Sequence, residues 1–422
     1  MREMKDSGIA WIGAIPASWT CRPIRALFHE NRNKNVNGTV TNALQFKFGT
    51  IVPKDNFDAS EDSYVANTIL NYNIVDNGTL MLNGLNLNFD FVTKRVALVR
   101  ERGVITSAYI AFEVDDSNVV DPEYANYLLK SYDSCAAFHN MGGGVRKILG
   151  FDELKRNQFL LPPLSEQLEI VKFLDSKCAE INILTDEIQT QIDTLEQYKR
   201  SVITETVTKG LNPNVNLKDS GIQWLGQMPK HWDCIRGKYI LRYIQKPVKE
   251  DDGVITCFRD GEVTLRSNRR EDGFTMSDKE IGYQGIDVGD LVVHGMDGFA
   301  GAIGISDSRG KASPVLNVLE TDQNKRYIMY YLRSMAYSDV FLALATGIRV
   351  RSCDLRWNKL AELMYPVPPI EEQEKIVEHI DSVIKKTDEV IADKKEQLET
   401  IEEYKKSLIY EYVTGKKEVP VA

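Results

Sequence analysis

The sequence predicts an α+β protein made of two similar globular domains, each followed by a long helix. The two helices are expected to pair as an antiparallel coiled coil with pseudo-twofold symmetry. Three observations carry this. The opening Asp6-Ser7-Gly8-Ile9-x-Trp11-x-Gly13-x-x-Pro16-x-x-Trp19 returns as Asp219-Ser220-Gly221-Ile222-x-Trp224-x-Gly226-x-x-Pro229-x-x-Trp232, and Leu161-Pro162-Pro163-x-x-Glu166-Gln167 returns as Val367-Pro368-Pro369-x-x-Glu372-Gln373. Each Pro-Pro is followed by apolar residues at 3-4 spacing. Each globular part alternates short β-like runs with turn residues. The expected boundaries are 1–162 and 211–368 for the domains, with 163–210 and 369–416 for the helices.

In the first globular part the strand-like runs are 79–82, 96–99 and 110–114; in the second they are 290–293 and 315–319. Asn77-Gly78 and Val288-Gly289-Asp290 are turn signals before matched strands. Arg102-Gly103 then pairs with Arg309-Gly310. A short helix around Tyr127–Ser131 pairs with Tyr330–Ser334, and a Gly144-Val145-Arg146 loop pairs with Gly347-Ile348-Arg349. The repeat offset drifts between 213 and 203, as loop insertions permit at little cost.

The long helices are delimited by local chemistry. Pro162-Pro163 cannot lie inside a helix, Ser165 suits an N-cap, and Glu166 suits the positive end of the dipole. The seam runs through Val171, Leu174, Cys178, Ile181, Ile188, Ile192, Leu195 and Val202 to a stop at Lys209-Gly210. The second runs through Val377, Ile380, Ile384, Ile391, Leu398, Ile401 and Leu408 to Gly415. Thr185, Lys199, Thr387, Lys394 and Lys405 are polar seam positions. Each helix would be ~65 Å long at ~1.5 Å per residue, longer than one small domain is wide, which favours helix-on-helix packing.

The net charge of −9 is unevenly placed. Residues 165–209 hold 9 acidic against 5 basic residues, and 371–413 hold 13 against 7, so the remainder carries about +1. Local patches, not total charge, would carry any phosphate binding. No apolar run approaches the ~20 residues of a membrane helix, and the charged N-terminus lacks a signal-peptide core. A cytoplasmic protein is expected. The six cysteines are scattered without a Cys-x-x-Cys pair, which points to reduced, packed thiols.

Catalytic patterns are missing. Gly310-Lys311-Ala312 lacks the upstream glycine and the hydroxyl of a phosphate-binding loop. Neither Pro-Pro pair sits in a methyltransferase motif, Glu153-x-Lys155 has no preceding Pro-Asp, and the five histidines have no metal-ligand spacing. No catalytic residue and no metal site are expected. What remains are polar and basic clusters in loops that differ between the copies. These are Asn83, Asn86, Asn88, Lys94, Arg95, Arg146 and Lys147 in the first, and Arg266, Asn268, Arg269, Arg270, Arg349, Arg351 and Arg356 in the second. Arg and Asn can read guanine and adenine edges, while Lys mostly meets phosphate.

The doubled opening, the Val288-Gly289-Asp290-Leu291 turn, the Gly-x-Arg loops and the doubled Pro-Pro-x-x-Glu-Gln helix starts resemble the specificity (S) subunit of type I restriction-modification systems. The first copy departs at Asn77-Gly78-Thr79, where that family usually has Gly-Asp. The resemblance implies two target recognition domains, each reading half of a bipartite double-stranded DNA sequence. The helices would then form a spacer that docks two methyltransferase (M) subunits and restriction (R) subunits. S-adenosylmethionine and ATP/Mg would belong to those partners, this chain being non-catalytic and holding no cofactor. A coiled-coil scaffold that binds no DNA, and a self-contained nuclease or methyltransferase, are the other readings the residues leave open. If the helices set half-site separation near one turn of DNA, ~34 Å, deleting whole heptads from 171–202 will change the unread spacing and leave the half-site sequences intact. Methylation mapping that finds altered half-sites at unchanged spacing would refute this.

Overall fold

The computed structural model describes residues 2–54, 68–142, 147–269, 281–344 and 355–420. The chain forms two compact units, Met1–Ile188 with Glu396–Ala422, and Gln189–Lys395. Each is described in turn, because both contain the same frame.

The first unit holds a four-stranded antiparallel sheet of β1 (Phe28–Glu30), β2 (Leu80–Leu82), β3 (Val96–Leu98) and β4 (Ile110–Val114), in the order β1-β4-β2-β3. The second holds β5 (Leu241–Ile244), β6 (Leu291–His294), β7 (Ile303–Ile305) and β8 (Leu316–Thr321), in the equivalent order β5-β8-β6-β7. The expected apolar runs thus fall within these sheets, and both faces of β2 are buried. A helix follows each sheet, α1 (Pro122–Ser134) in the first unit and α3 (Lys325–Tyr337) in the second. Asp121 caps α1 by accepting from Tyr124 N, and Asn324 caps α3 by accepting from Arg326 N and Tyr327 N.

The repeated opening is a turn device. Asp6 Oδ1 accepts from Gly8 N and Ser7 Oγ from Ile9 N, between paired strands Met4–Asp6 and Ala14–Pro16. Asp219 and Ser220 make the same two bonds between Leu217–Asp219 and Gln227–Pro229. These side chains replace backbone turn bonds, which is why Asp and Ser stand there. Trp19 and Trp232 follow at full burial.

The long helices are α2 (Leu164–Lys209) and α4 (Ile370–Val413), and each is divided between the two units. In the first unit the Phe173 and Tyr412 rings lie 4.5 Å apart, and Lys405 Nζ donates to Asn182 Oδ1 at 2.6 Å. In the second, Lys394 Nζ donates to Gln191 Oε1 and Lys199 Nζ to Asp388 Oδ1. Residue numbers rise on one helix as they fall on its partner, so the pairing within each unit is antiparallel. The lysines at polar seam positions thus bond across the pair, and the threonines bond within their own helix. The Thr185 and Thr387 hydroxyls donate to carbonyls one turn back, at Ile181 and Val383. The seam drifts at its end, where Ile203 is buried and Val202 only half-buried.

Helix ends complete each core. Ile170 and Leu174 from the start of α2 and Leu408, Tyr412 and Val413 from the end of α4 pack with Trp19, Phe28, Tyr124 and Phe159. In the second unit, Ile376 and Ile380 from the start of α4 and Ile203 and Val207 from the end of α2 pack with Trp232, Tyr327 and Tyr365. Gln167 is fully buried in the first turn of α2, and its Oε1 accepts from Asp121 N at 2.9 Å. Its Nε2 donates to the Val119 and Pro162 carbonyls. Gln373 accepts from Asn324 N at 3.0 Å and donates to the Pro368 carbonyl and Gln323 Oε1. The Tyr124 and Tyr327 hydroxyls donate to the Val413 and Val207 carbonyls, each at 3.1 Å.

Gly210 and Gly415 end the two helices at φ +75° and +69°, the left-handed conformation that favours glycine. A Cβ at Gly415 would lie 2.4 Å from Pro16 Cδ and 3.1 Å from the Trp19 ring. The described cysteines form no disulfide; Cys178 and Cys257 are buried, Cys21 and Cys234 half-buried, and Cys135, against expectation, exposed. No described helix is long and apolar enough to cross a membrane. Replacing Gln167 by Leu orphans the Asp121 N–H and two carbonyls, and should cost about 1–3 kcal/mol per group left unsatisfied. Denaturant unfolding of that variant and of Gln373→Leu should show losses of similar size.

Candidate nucleic-acid interface

In the first unit the candidate residues gather on the connection between β2 and β3. Residues 83–95 form this loop, and one side chain holds it in shape. Arg95 is fully buried, and its guanidinium donates to the carbonyls of Asn83, Leu85 and Asp90. Its backbone N donates to Asp133 Oδ2 at 2.7 Å. A buried guanidinium needs such partners, and these are three carbonyls of one loop. Arg95 is therefore a clamp on the 83–95 loop and presents nothing to solvent, which corrects its expected place among reading residues.

The rest of the loop is set by the same economy of local bonds. Asp90 Oδ1 accepts from Val92 N and Thr93 N, and its hydrogen bonds with Thr93 hold its carboxyl below the ordinary value. Asn83 Oδ1 accepts from Leu85 N. Asn86 is exposed at φ +55°, a conformation asparagine tolerates, while Asn88 is half-buried. The Phe91 ring stacks on His139 at 4.6 Å and 8°. Phe89 and Val92 are left 81% and 92% exposed. Apolar side chains this exposed at a clamped tip were not foreseen from the sequence; their only signal was aromatic residues between turn-forming Asn and Asp.

The second candidate segment meets this loop. Leu149 N donates to the Gly84 carbonyl at 2.9 Å, and a Cβ on Gly84 would lie 2.1 Å from Leu149 O. This close approach places exposed Lys147 beside the 83–95 loop. Lys94 instead points to the long-helix pair, where it bonds Glu402 at 2.8 Å. Arg146 lies outside the described residues.

In the second unit the candidates sit after a hairpin of strands Ile255–Cys257 and Val263–Leu265. Arg266–Asn268 forms one tight helical turn there. Arg266 is half-buried, its Nε 3.4 Å from Thr256 Oγ1, and Asn268 Nδ2 donates to Thr264 Oγ1 at 2.9 Å. Arg269 grips Asp260 through two bonds of 3.1 and 2.6 Å, reaches Glu262 at 3.2 Å, and lies over the Phe258 ring at 4.2 Å. Burial alone would raise the Asp260 carboxyl, but the bond from Arg269, with that from Glu262 N, leaves it below the ordinary value. Arg266 and Arg269 line a cleft of about 570 Å3 with Thr256, Phe258, Tyr283 and His294. Arg356 starts the short helix Trp357–Glu362. Arg270, Arg349 and Arg351 lie outside the described residues.

The two sites differ in construction. The first is a long clamped loop between central strands; in the second the matching β6–β7 connection is only 295–302, and the arginines come from a separate hairpin. The frame beneath is the same. Tyr127 on α1 donates to Asp175 at 2.7 Å, and Tyr330 on α3 donates to Asp381 at 2.6 Å.

Comparison with known proteins gives one answer. The family model described as type I restriction modification DNA specificity domain matches residues 44–194 and 280–400. The MjaVIII type I restriction enzyme specificity subunit of Methanocaldococcus jannaschii is 24% identical over 337 residues, covering 75% of each chain. A putative MjaX specificity subunit from the same organism is 22% identical over 431 residues, covering 96% of this chain and 95% of its own. A chain from a structural study of complex assembly and conformational transition in a type I R-M system is 13% identical. It superimposes with a TM-score of 0.65 over 96% of this chain and 99% of that one, which shows a shared fold. The repeated frame and a family model matched once in each half lead to the same place: this chain belongs to the type I restriction-modification DNA specificity family.

Proposed function

We propose that this chain, the DNA-recognition subunit of a type I restriction-modification system, reads a bipartite duplex with one recognition domain per half-site. The observation that carries the reading is a shared frame bearing different loops. The buried glutamines, the tyrosine–carbonyl bonds and the Asp-Ser turns recur in both units, while the 83–95 loop and the Arg266–Asn268 turn have no likeness to each other. A shared frame suits a partner met twice, and divergent loops suit two different sequences. The partners are two methyltransferase subunits and restriction subunits in the cytoplasm. S-adenosylmethionine and ATP/Mg are bound by those partners, and this chain supplies recognition without catalysis.

In the first domain the side chains placed to read are Asn86, Phe89, Val92 and Lys147. Asparagine can pair with adenine in the major groove, apolar groups suit the thymine methyl, and lysine suits phosphate. In the second, Arg266, Asn268 and Arg269 line or flank the recognition cleft. Arg269 must exchange Asp260 for a base or phosphate to take part.

Two measurements test this. Replacing 211–366 by the matching segment of another subunit should change one half-site of the methylated sequence, whereas changes at both halves would contradict it. Lys147→Gln should weaken DNA binding several-fold with the melting temperature unchanged, while Arg95→Met should lower the melting temperature of the first unit and slacken sequence preference. Equal effects of the two substitutions on stability would contradict the division into reader and clamp.

A further inference from the structure

Each unit encloses a cleft between its short helix and its pair of long helices, at matched repeat positions. In the first unit the cleft is about 590 Å3 and is lined by Tyr127, Lys130, Cys178, Asn182, Lys405 and Lys406. In the second it is about 940 Å3, and the matched positions hold Tyr330, Arg333, Ile384, Asp388, Lys199 and Arg200. The two clefts share their geometry and differ in their charge.

In the second unit the cations are engaged by the protein itself. Lys199 is bonded to Asp388 and Glu196. Arg333 donates to the Asp260 carbonyl at 2.6 Å and to the Tyr337 hydroxyl at 2.8 Å, and Arg200 lies over the Tyr337 ring. In the first unit Asn182 stands where Asp388 stands in the second, so Lys405 donates to a neutral amide. Lys406 pairs with Glu403 and Lys94 with Glu402, both at exposed positions. Lys130 is half-buried and has no carboxylate at ion-pair distance among the described residues. Burial, then the Arg100 and Lys405 charges, push its ammonium down to about 8. The cleft's carboxylates are Asp133, which accepts from Arg95 N, and Glu402, taken by Lys94. Thus the first cleft carries surplus positive charge on its lysines. Exposed Phe48, Phe91 and Val92 stand at its edge.

We propose that this cleft of the first unit seats the sugar–phosphate backbone of DNA, with Lys130 and Lys405 as sequence-independent phosphate contacts whose second-unit counterparts are engaged internally. Lys130 and Lys405, crowded by other cations that with them outnumber the carboxylates of the cleft, are poised for an external anion, and a phosphate row supplies it at every sequence. Apolar rings beside lysines suit deoxyribose faces. The cleft would anchor the first domain on the duplex more firmly than the second, apart from any base reading. The proposal rests on the DNA-reading function above.

The test is the salt dependence of binding by the full-length chain, with and without its methyltransferase partner, to a short fluorescein-labelled duplex of arbitrary sequence. Lys130→Gln should weaken binding several-fold and flatten the plot of log affinity against log salt by about 0.9 for each phosphate no longer neutralised. Asn182→Asp, a change on the helix surface that recreates the charge of Asp388, should act in the same direction without altering the fold, and Lys130→Arg should restore affinity. Arg333→Gln should leave the slope unchanged. A wild-type chain that binds no duplex in either setting overturns the proposal together with the function it rests on. Wild-type binding with an unchanged slope in Lys130→Gln and Asn182→Asp overturns the proposal alone. So does a variant that keeps DNA binding and loses only the methyltransferase, which would make the cleft a protein-docking site.

Discussion

The structure depends on two buried glutamines. Gln167 and Gln373 sit in the first turns of α2 and α4, where helix N–H groups lack intrahelical partners, and each reaches sideways to tie that turn to the cap of the neighbouring short helix. A fully satisfied amide within a Trp- and Tyr-rich core allows one geometry, since any shift leaves several polar groups buried without partners. The helix start, the cap of α1 or α3 and the preceding Pro-Pro are thereby fixed together. The opposite long helix then closes the core with its last turn, through Tyr124 to Val413 in one unit and Tyr327 to Val207 in the other. Each recognition core is therefore completed by chain from both repeat copies. Unit boundaries cut the long helices instead of following them.

A core closed this way leaves the loops free to differ. The 83–95 loop does not contribute to the Gln167 junction, so it can lengthen and change while the junction stays. Its own shape must then be supplied locally, and Arg95 supplies it by gathering three loop carbonyls. The second unit solves the same problem with ion pairs, Arg269 to Asp260 and Arg309 to Asp252 and Asp287. The Lys246 and Arg309 bonds hold the Asp287 carboxyl at about 2. In both units, some of the most basic-looking residues are occupied in holding the surface that would do the reading.

This explains what was legible in the sequence. The helix starts, the matched strands, the Asp-Ser turns and the glycine stops depend on neighbours within a few residues, so the repeat and local chemistry expose them. The burial of Arg95 is not legible in the sequence because it is decided by three carbonyls spread along a loop whose path no local rule sets. Cys135, expected as a packed thiol, lies beyond the last turn of α1 at an exposed position. The unit boundaries were hidden because antiparallel pairing joins residues more than 200 positions apart, such as Asn182 and Lys405. Arg146, Arg270, Arg349 and Arg351 of the expected site lie outside the described residues.

Charge also acts locally. The long helices carry about −10 and the remainder about +1, yet exposed charges are screened beyond ~8 Å at physiological salt. A phosphate near Lys130 responds to Lys405, Arg100 and Lys94, which stand close enough to depress the ammonium, and hardly to glutamates several turns along α2. One of the positions that distinguish the two clefts lies on the helix surface: Lys405 donates to the neutral amide of Asn182 where Asp388 pairs with Lys199. A duplication that kept its frame could thus become electrostatically asymmetric through single residues on a helix surface, without disturbing the core that both units share.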